Sequence, residues 1–286
     1  MAKMAVFIVE GGFFCINLRK PLHVCYILIE GALTMDLMPG EQIDDLQYNG
    51  LRIIQKKGLF RYGTDGVLLA NYAVSGLLES SVLRKQKGAI PFRILDIGTG
   101  CGIVPILMEG KLRTQAPEIP VRLHGIEIQE DVAQMARRSV DLNKQTERIQ
   151  IDIGDVQETF YPHASFDAIT MNPPYVRMGS GLLSDATPVA KACHEIVCTQ
   201  ETLIARAAKL LKPGGLFYMI NKTDRLTDAL CAMRESGIEP RELRLVEGRH
   251  GLAPVLFVVS GVRGGGKNLR VLPNINLERG TDVCSM

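Results

Sequence analysis

The sequence has no uninterrupted apolar run of the roughly 20 residues that a membrane-spanning helix needs. Near the N-terminus, two apolar stretches are broken by Glu10, by Arg19-Lys20-Pro21 and by Glu30. Glu10 also cuts the first stretch too early for the apolar core of a secretory signal peptide. The sequence therefore predicts a protein with no membrane partner.

A large net charge, internal repeats and low-complexity linkers are absent as well. The formal net charge is only +2, so a nucleic-acid partner would have to bind a local basic patch. The seven cysteines have no regular spacing, which favours reduced thiols and a cytoplasmic location. Cys193, His194 and Cys198 lie close together but match no ordinary zinc spacing, so we predict no bound metal.

The length and composition are ordinary for a globular protein and fit a single α/β domain with additional segments at its ends. We expect residues 1–37 to be an extension outside the working fold, with Met35 or Met38 as the native start. The remaining chain is predicted as one domain, 38–280, with a leader strand and helix at 38–80, a catalytic sheet at 90–280 and a tail at 281–286. The oligomeric state is left open.

Apolar runs typical of strands alternate with segments of helical periodicity. Strands are predicted at 92–98, 121–128, 149–154, 166–171, 216–221 and 253–262, and helices at 102–112, 130–144, 201–215 and 224–237. Strands separated by helices of this size form βαβ units, so the predicted fold class is α/β, with a mostly parallel sheet and helices on both faces. Ligands bind beyond the carboxyl ends of the strands in such sheets.

The first strand end carries the sequence LDIGTGCGI. Asp96 closes the strand, and glycines follow at alternate positions. Glycine lets the chain turn sharply and lets a ligand approach the backbone. We predict a cofactor site made of Asp96, Gly98, Thr99, Gly100 and Gly102, with a tight strand-to-helix turn as the alternative.

Acidic residues follow the next two strands. Glu127, with Ile128 behind it, lies where a carboxylate can accept both hydroxyl hydrogens of a ribose. Asp155, with Val156 behind it, lies where a carboxylate can accept from an adenine amino group. The alternatives are a solvated charge at Glu127 and a turn-forming Asp155.

The sequence Asn172-Pro173-Pro174-Tyr175 follows the buried run 166–171. The prolines fix φ and hold the residue before each of them extended, so this segment is stiff. Here the alternative is a strand-ending turn with an incidental tyrosine.

In this order, LDIGTGCG, GIEI, GDV and NPPY resemble the class I S-adenosylmethionine-dependent methyltransferases. The resemblance implies a Rossmann-like, seven-stranded sheet with an antiparallel last strand. It also implies S-adenosylmethionine over the glycine turn, with Glu127 on the ribose and Asp155 near the adenine. Asn172 would border the cofactor and, with the Pro173 carbonyl, accept the two N–H groups of a planar amine. Tyr175 would stack on the flat substrate.

Flanking segments resemble one family among these enzymes, the tRNA1(Val) (adenine37-N6)-methyltransferases. The likeness is carried by Ile53-Ile54-Gln55, Phe60, Asp65 and Leu68-Leu69-Ala70, and by residues 194–215 and 247–277. It implies methylation of the exocyclic amino nitrogen of the adenine beside the anticodon of a tRNA. We take Phe60 and Asp65 as candidate substrate contacts.

Local basic residues are compatible with RNA, because Lys and Arg beside a site can hold phosphates. Arg177 and Lys191, after the NPPY sequence, are candidate phosphate contacts. Two further groups are Arg52, Lys56, Lys57 and Arg61, and Arg249, Arg263, Lys267 and Arg270. An ordinary solvated surface is the alternative.

Other substrates remain open at this point. A protein-glutamine N5-methyltransferase acting on release factors, an rRNA guanine-N2 enzyme and a DNA adenine-N6 enzyme would share the NPPY sequence. The release-factor enzyme also needs an N-terminal helical domain, for which we see no room before the leader strand. A non-catalytic RNA-binding module would lack the methyl-donor site, so Gly98, Gly100 and Glu127 argue against it.

Overall fold

The computed structural model describes residues 4–9, 12–17, 37–56, 63–86, 90–159, 161–173, 199–248 and 252–277, with the backbone alone for the first two ranges. The chain divides into two units, Met1–Gln42 and Ile43–Met286. In the first unit, β1 (Met4–Val9) and β2 (Gly12–Asn17) form an antiparallel hairpin. That this segment lies outside the working fold stays a prediction, as do the other domain boundaries.

The leader contains a two-stranded sheet of β3 (Glu41–Asp45) and β4 (Arg52–Lys56), followed by helices α1 (Thr64–Glu79) and α2 (Ser81–Arg84). The strand at Ile53-Ile54-Gln55 and the helix at Leu68-Leu69-Ala70 are therefore present as expected.

The rest of the described chain alternates strands with helices. In order along the chain, they are β5 (Phe92–Ile97), α3 (Ile103–Gln115), β6 (Val121–Glu127), α4 (Glu130–Leu142), β7 (Ile149–Ile153), β8 (Phe166–Met171), α5 (Gln200–Leu210), β9 (Leu211–Lys222), α6 (Leu226–Glu235), β10 (Ile238–Glu247), β11 (Leu256–Arg263), β12 (Arg270–Val271) and β13 (Ile275–Asn276). Gly237 follows α6 with φ +79°, the left-handed conformation that suits a residue just past a helix end.

The main sheet has the strand order β7-β6-β5-β8-β9-β11-β10. β11 runs antiparallel to both of its neighbours, and the other strands of this order run parallel to one another. The predicted α/β class with a mostly parallel sheet and one antiparallel strand is thus confirmed. Two short strands, β12 and β13, pair with β10 and extend the sheet to nine strands.

Of the seven strands in the main order, β9 and β10 differ most from the sequence prediction. β9 begins at Leu211, five residues before the predicted start, because Leu211 already pairs with Phe166. The register then shifts before Leu216 pairs with Ala168, and Pro213-Gly214 lie in this irregular part of the strand. The helix predicted at 201–215 therefore ends earlier, at Leu210. β10 is absent from the sequence prediction, because charged residues and Pro240 break up its apolar pattern.

The hydrophobic core lies on both faces of the sheet, as expected for parallel strands covered by helices. Because side chains alternate along a strand, Ile94 faces one layer and Leu95 faces the other. The first layer includes buried residues of α1, α3 and α4, among them Leu69, Ala73, Ile106 and Ala136. The second includes buried residues of α5 and α6, among them Ile204, Ala207, Ala229 and Met233.

Candidate active site

Three of the predicted site residues lie at the same position along the sheet, at the carboxyl ends of β5, β6 and β8. Ile97 of β5 pairs with both Ile126 of β6 and Met171 of β8. The next residue on each strand is therefore Gly98, Glu127 and Asn172, respectively. Because neighbouring strands lie about 4.8 Å apart, this register brings the glycine turn, the acidic strand end and the Asn-Pro segment to the same edge.

The glycine turn connects β5 to α3. Gly98, Gly100 and Gly102 have φ values of +69°, +56° and +89°, in the left-handed region that glycine adopts readily. The backbone N–H groups of Gly98 and Thr99 both donate to the carbonyl oxygen of Ile126, each at 3.0 Å. A Cβ placed on Gly98 or on Gly100 would meet no protein atom within 4 Å, so the turn borders open space.

Cys101 lies inside this turn. It is 7% exposed, and burial raises the pKa of its thiol to about 11. The thiol is therefore protonated near neutral pH, and a thiolate nucleophile is not formed at this position. Cys101 is therefore a small packing residue of the turn.

Glu127 closes β6 and is buried, with 6% exposure. Its Oε2 accepts from the backbone N–H of Gly100 at 3.0 Å, and its Oε1 accepts from the backbone N–H of Gln129 at 3.0 Å. These two contacts fix the carboxylate against the glycine turn. The next residue, Ile128, is 50% exposed and presents an apolar surface beside it.

Asp96 is the last polar residue of β5 and is 3% exposed. Its Oδ1 accepts from the hydroxyl of Thr170, its partner on β8, at 2.6 Å. Burial raises the pKa of the Asp96 carboxyl to about 7, against the opposing effect of the hydrogen bond from Thr170. The nearby charge of Glu127 adds to the increase. Sequence reasoning did not find Thr170, which reads as one more residue of a buried strand.

Asp155 and Val156 follow β7. Asp155 Oδ1 accepts from the backbone N–H of Gln157 at 2.8 Å, and Val156 is buried. The contact to Gln157 is that of a turn-forming aspartate, one of the two alternatives for this residue. A contact of Asp155 with adenine stays a prediction.

Asn172 lies at the end of β8 and is half-buried, and Pro173 behind it is buried. The Nδ2 of Asn172 donates to Asp65 Oδ2 at 3.2 Å. Asp65 is in the first turn of α1, 107 residues earlier in the chain, and is 8% exposed. The fold therefore brings one of the predicted substrate contacts directly onto the predicted catalytic asparagine.

Several predicted site residues lie outside the described residues, namely Phe60, Pro174, Tyr175, Arg177 and Lys191. The Cys193–His194–Cys198 cluster lies there too. In the ranges that the structure describes, no group of three or more His, Cys, Asp or Glu side chains is placed to hold a metal. None of the helices in those ranges has the length and hydrophobicity needed to cross a membrane.

The strand order is that of a Rossmann-like α/β protein, a fold in which ligands bind beyond the carboxyl ends of the strands. The open space beside Gly98 and Gly100 and the carboxylate of Glu127 fit a cofactor that carries a ribose. Residues 92–242 match the family described as "Methyltransferase domain". The chain belongs to this methyltransferase family, and its cofactor is S-adenosylmethionine.

The matches to curated relatives extend over more of the chain than the family match does. A protein of Porphyromonas gingivalis named tRNA1(Val) (adenine(37)-N6)-methyltransferase is 33% identical over 189 residues, covering 65% of this chain and 68% of that protein. A protein of the same name from Tolumonas auensis is 26% identical over 212 residues, covering 74% of this chain and 80% of that protein.

A solved structure supports the fold. A protein from Agrobacterium tumefaciens, described as a predicted O-methyltransferase, superposes with a TM-score of 0.53 at 21% identity. The match covers 74% of this chain and 86% of that protein. At this identity the match shows a shared fold.

Proposed function

We propose that this protein transfers the methyl group of S-adenosylmethionine to the exocyclic amino nitrogen of adenine in a tRNA, beside the anticodon. The observation that supports the proposal is the register of β5 and β8, in which Gly98 and Asn172 directly follow the paired residues Ile97 and Met171. The choice of adenine in tRNA is supported by the names of the curated relatives.

The proposed cofactor contacts are made by residues at the carboxyl ends of β5, β6 and β7. The backbone of Gly98 and Gly100 borders the open space, and Glu127 accepts the hydroxyl hydrogens of the ribose. Ile128 covers one face of the cofactor's adenine, and Asp155 accepts from its amino group. The cofactor supplies a methyl group on a positively charged sulfur, which is already electrophilic.

The proposed catalytic contribution of the protein is to position a poor nucleophile. The lone pair of the adenine amino group is delocalised into the ring. Asn172 Oδ1 and the Pro173 carbonyl each accept one N–H, which holds the nitrogen and favours its pyramidal form. Preorganised acceptors stabilise charge that develops on the nitrogen, and alignment of the reactants contributes the entropic part.

The basic residues expected to contact RNA are partly engaged within the protein. Arg270 pairs with Glu242, and Arg263 donates to the carbonyl oxygen of Ser236 at 3.0 Å. Lys267, in the loop between β11 and β12, is exposed, and Arg249 lies outside the described residues. Among the described basic residues of this group, phosphate contacts would therefore fall mainly to Lys267.

The test is a labelling experiment. The protein is incubated with methyl-labelled S-adenosylmethionine and, in separate reactions, with bulk tRNA or a release factor. The products are then digested and identified. We expect label in N6-methyladenosine from tRNA. Label confined to glutamine of the release factor would replace the proposal by a protein-glutamine methyltransferase. A tRNA-modifying enzyme is expected in the cytoplasm, which stays a prediction.

A further inference from the structure

The side-chain amide of Asn172 can face a substrate amine in two ways. Its Oδ1 can accept an N–H, whereas its Nδ2 carries only donors. Rotation of the amide by half a turn would therefore replace an acceptor by a donor at the same place. Catalysis as proposed above requires the oxygen to face the substrate amine, so the orientation of this amide is a property that the fold must control.

Asp65 supplies that control. Its Oδ2 lies 3.2 Å from Asn172 Nδ2, and an ionised carboxylate only accepts hydrogen bonds. An amide placed beside it must present its NH₂ group to it, because turning Oδ1 toward Oδ2 would place two acceptors in contact. The Nδ2 end is thereby directed to α1, and Oδ1 is directed away from Asp65.

Asp65 is itself held in place. Its Oδ1 accepts from the backbone N–H of Gly66 at 3.0 Å, and the residue is 8% exposed in the first turn of α1. The N-terminus of a helix favours a negative charge. Gly66 lies directly against Ile103 of α3, since an added Cβ would come within 2.9 Å of Ile103 Cγ2. The start of α1 is therefore fixed against the helix that follows the glycine turn.

We infer that Asp65 is a positioning residue for the methyl transfer, which holds the Asn172 amide with its oxygen toward the substrate amine. The inference rests on the proposed role of Asn172. It gives Asp65 a role different from the substrate contact expected from the sequence. In this role Asp65 acts through Asn172 and touches neither reactant.

Two substitutions and one control test the inference. Asp65→Ala removes the acceptor, and we expect kcat to fall by about 10- to 100-fold, because small misplacements near the reacting atoms have effects of this size. Asp65→Asn keeps an oxygen that can accept from Nδ2, and it is expected to lose less. The dissociation constant for S-adenosylmethionine, measured by calorimetry, should stay within about threefold in both variants, a change below 1 kcal/mol.

The matched control is Asp131→Ala. Asp131 lies in the first turn of α4, and its Oδ1 accepts from the next backbone N–H, that of Val132, at 3.0 Å. This is the same local contact that Asp65 makes with Gly66. The control should retain kcat. Equal loss of kcat in Asp65→Ala and Asp131→Ala would overturn the inference, as would a loss of cofactor affinity that accounts for the whole effect.

An exchange of the two side chains provides a readout that a structural role would not give. Asn172→Asp alone places two carboxylates in contact, and kcat should fall strongly. Adding Asp65→Asn restores an amide–carboxylate pair and leaves a carboxylate oxygen to accept the substrate N–H. The double variant should recover at least about tenfold in kcat over Asn172→Asp, equivalent to about 1.4 kcal/mol. No recovery in a double variant that still binds S-adenosylmethionine would refute the positioning role.

Failure of the inference and failure of the proposed function give different results. If the wild-type protein methylates glutamine instead of adenine, the proposed substrate is wrong. The exchange experiment can then be carried out by measuring kcat for methylation of glutamine. If adenine is methylated and the exchange has no effect, the substrate stands and Asp65 does not position Asn172.

Discussion

Thr170 Oγ1 donates a hydrogen bond of 2.6 Å to the carboxyl group of Asp96, across two neighbouring parallel strands. Burial raises the pKa of this carboxyl from 3.8 to about 7, although the hydrogen bond from Thr170 opposes the shift. Because the pKa in the folded state exceeds that in the unfolded state, the neutral form stabilises the fold. This contribution is complete below about pH 4 and is lost as the pH rises through 7.

Asp96→Asn should remove this pH dependence. We expect the free energy of unfolding of the wild-type protein to decline relative to the variant between pH 4 and 8, by on the order of 4 kcal/mol. Urea unfolding of both proteins across this range measures the difference, and other titrating groups cancel between them. Parallel pH profiles for the two proteins would show that Asp96 ionises normally.

Glu127→Gln should weaken cofactor binding. The carboxylate is fixed by the backbone N–H groups of Gly100 and Gln129, and we propose that it also accepts from the ribose hydroxyls. Hydrogen bonds to a charged group contribute about 2 kcal/mol, so the dissociation constant for S-adenosylmethionine should rise about 30-fold. Calorimetry gives this constant directly.

The control for this variant is Glu130→Gln, an exposed carboxylate in the first turn of α4. It should bind S-adenosylmethionine as the wild-type protein does. An unchanged dissociation constant in Glu127→Gln would remove the ribose contact from the site.

The polar strand ends could be predicted because each follows a run of apolar residues that reads as a strand on its own. Asp96 and Glu127 were found in this way, and β5, β6 and β8 lie close to their predicted bounds. β10 is not predicted because charged residues and Pro240 interrupt its apolar residues, so that the buried positions show no regular alternation. A local apolar pattern does not reveal such a strand, which forms through its pairing with β11.

The contact between Asp65 and Asn172 could not be predicted from the sequence for a different reason. The two residues are 107 positions apart, and nothing in either local pattern indicates that they meet. The contact depends on where α1 packs, which follows from tertiary contacts such as Gly66 against Ile103. The hydrogen bond from Thr170 to Asp96 likewise depends on the register between β5 and β8.

Gly98→Ala should separate the stability of the turn from its use in binding. Gly98 has φ +69°, and a Cβ there would meet no protein atom within 4 Å. The left-handed conformation is unfavourable for alanine by about 1–2 kcal/mol, so the free energy of unfolding should fall by this amount. Affinity for S-adenosylmethionine should fall as well, because the added methyl group projects into the proposed cofactor space.

Gly214→Ala is the control for the turn. Gly214 has φ +76° and also has no atom within 4 Å of an added Cβ, but it lies near the start of β9, away from the carboxyl ends of the strands. It should lose similar stability in thermal unfolding and keep its cofactor affinity. If both variants bind S-adenosylmethionine equally well, the open space beside Gly98 does not take the cofactor.

Asn172→Ala tests the proposed chemistry most directly. Removing the side-chain acceptor should abolish turnover, because the substrate amine loses the group that holds and orients it. Cofactor affinity should be nearly unchanged, since the proposed cofactor contacts are made chiefly by the glycine turn and by Glu127. The measurements are methyl transfer to tRNA in a single-turnover assay and cofactor binding by calorimetry.

The matched control is Asn274→Ala. Asn274 also donates its Nδ2 to a carboxylate, Glu247 Oε1 at 2.6 Å, but it is exposed at the β10 edge of the sheet. Its loss should leave turnover and cofactor binding at wild-type levels. A large loss of cofactor affinity in Asn172→Ala would contradict the assigned role. It would show that Asn172 acts mainly by binding the cofactor and not by holding the substrate amine. Turnover retained in that variant would mean that the substrate amine is held by other acceptors.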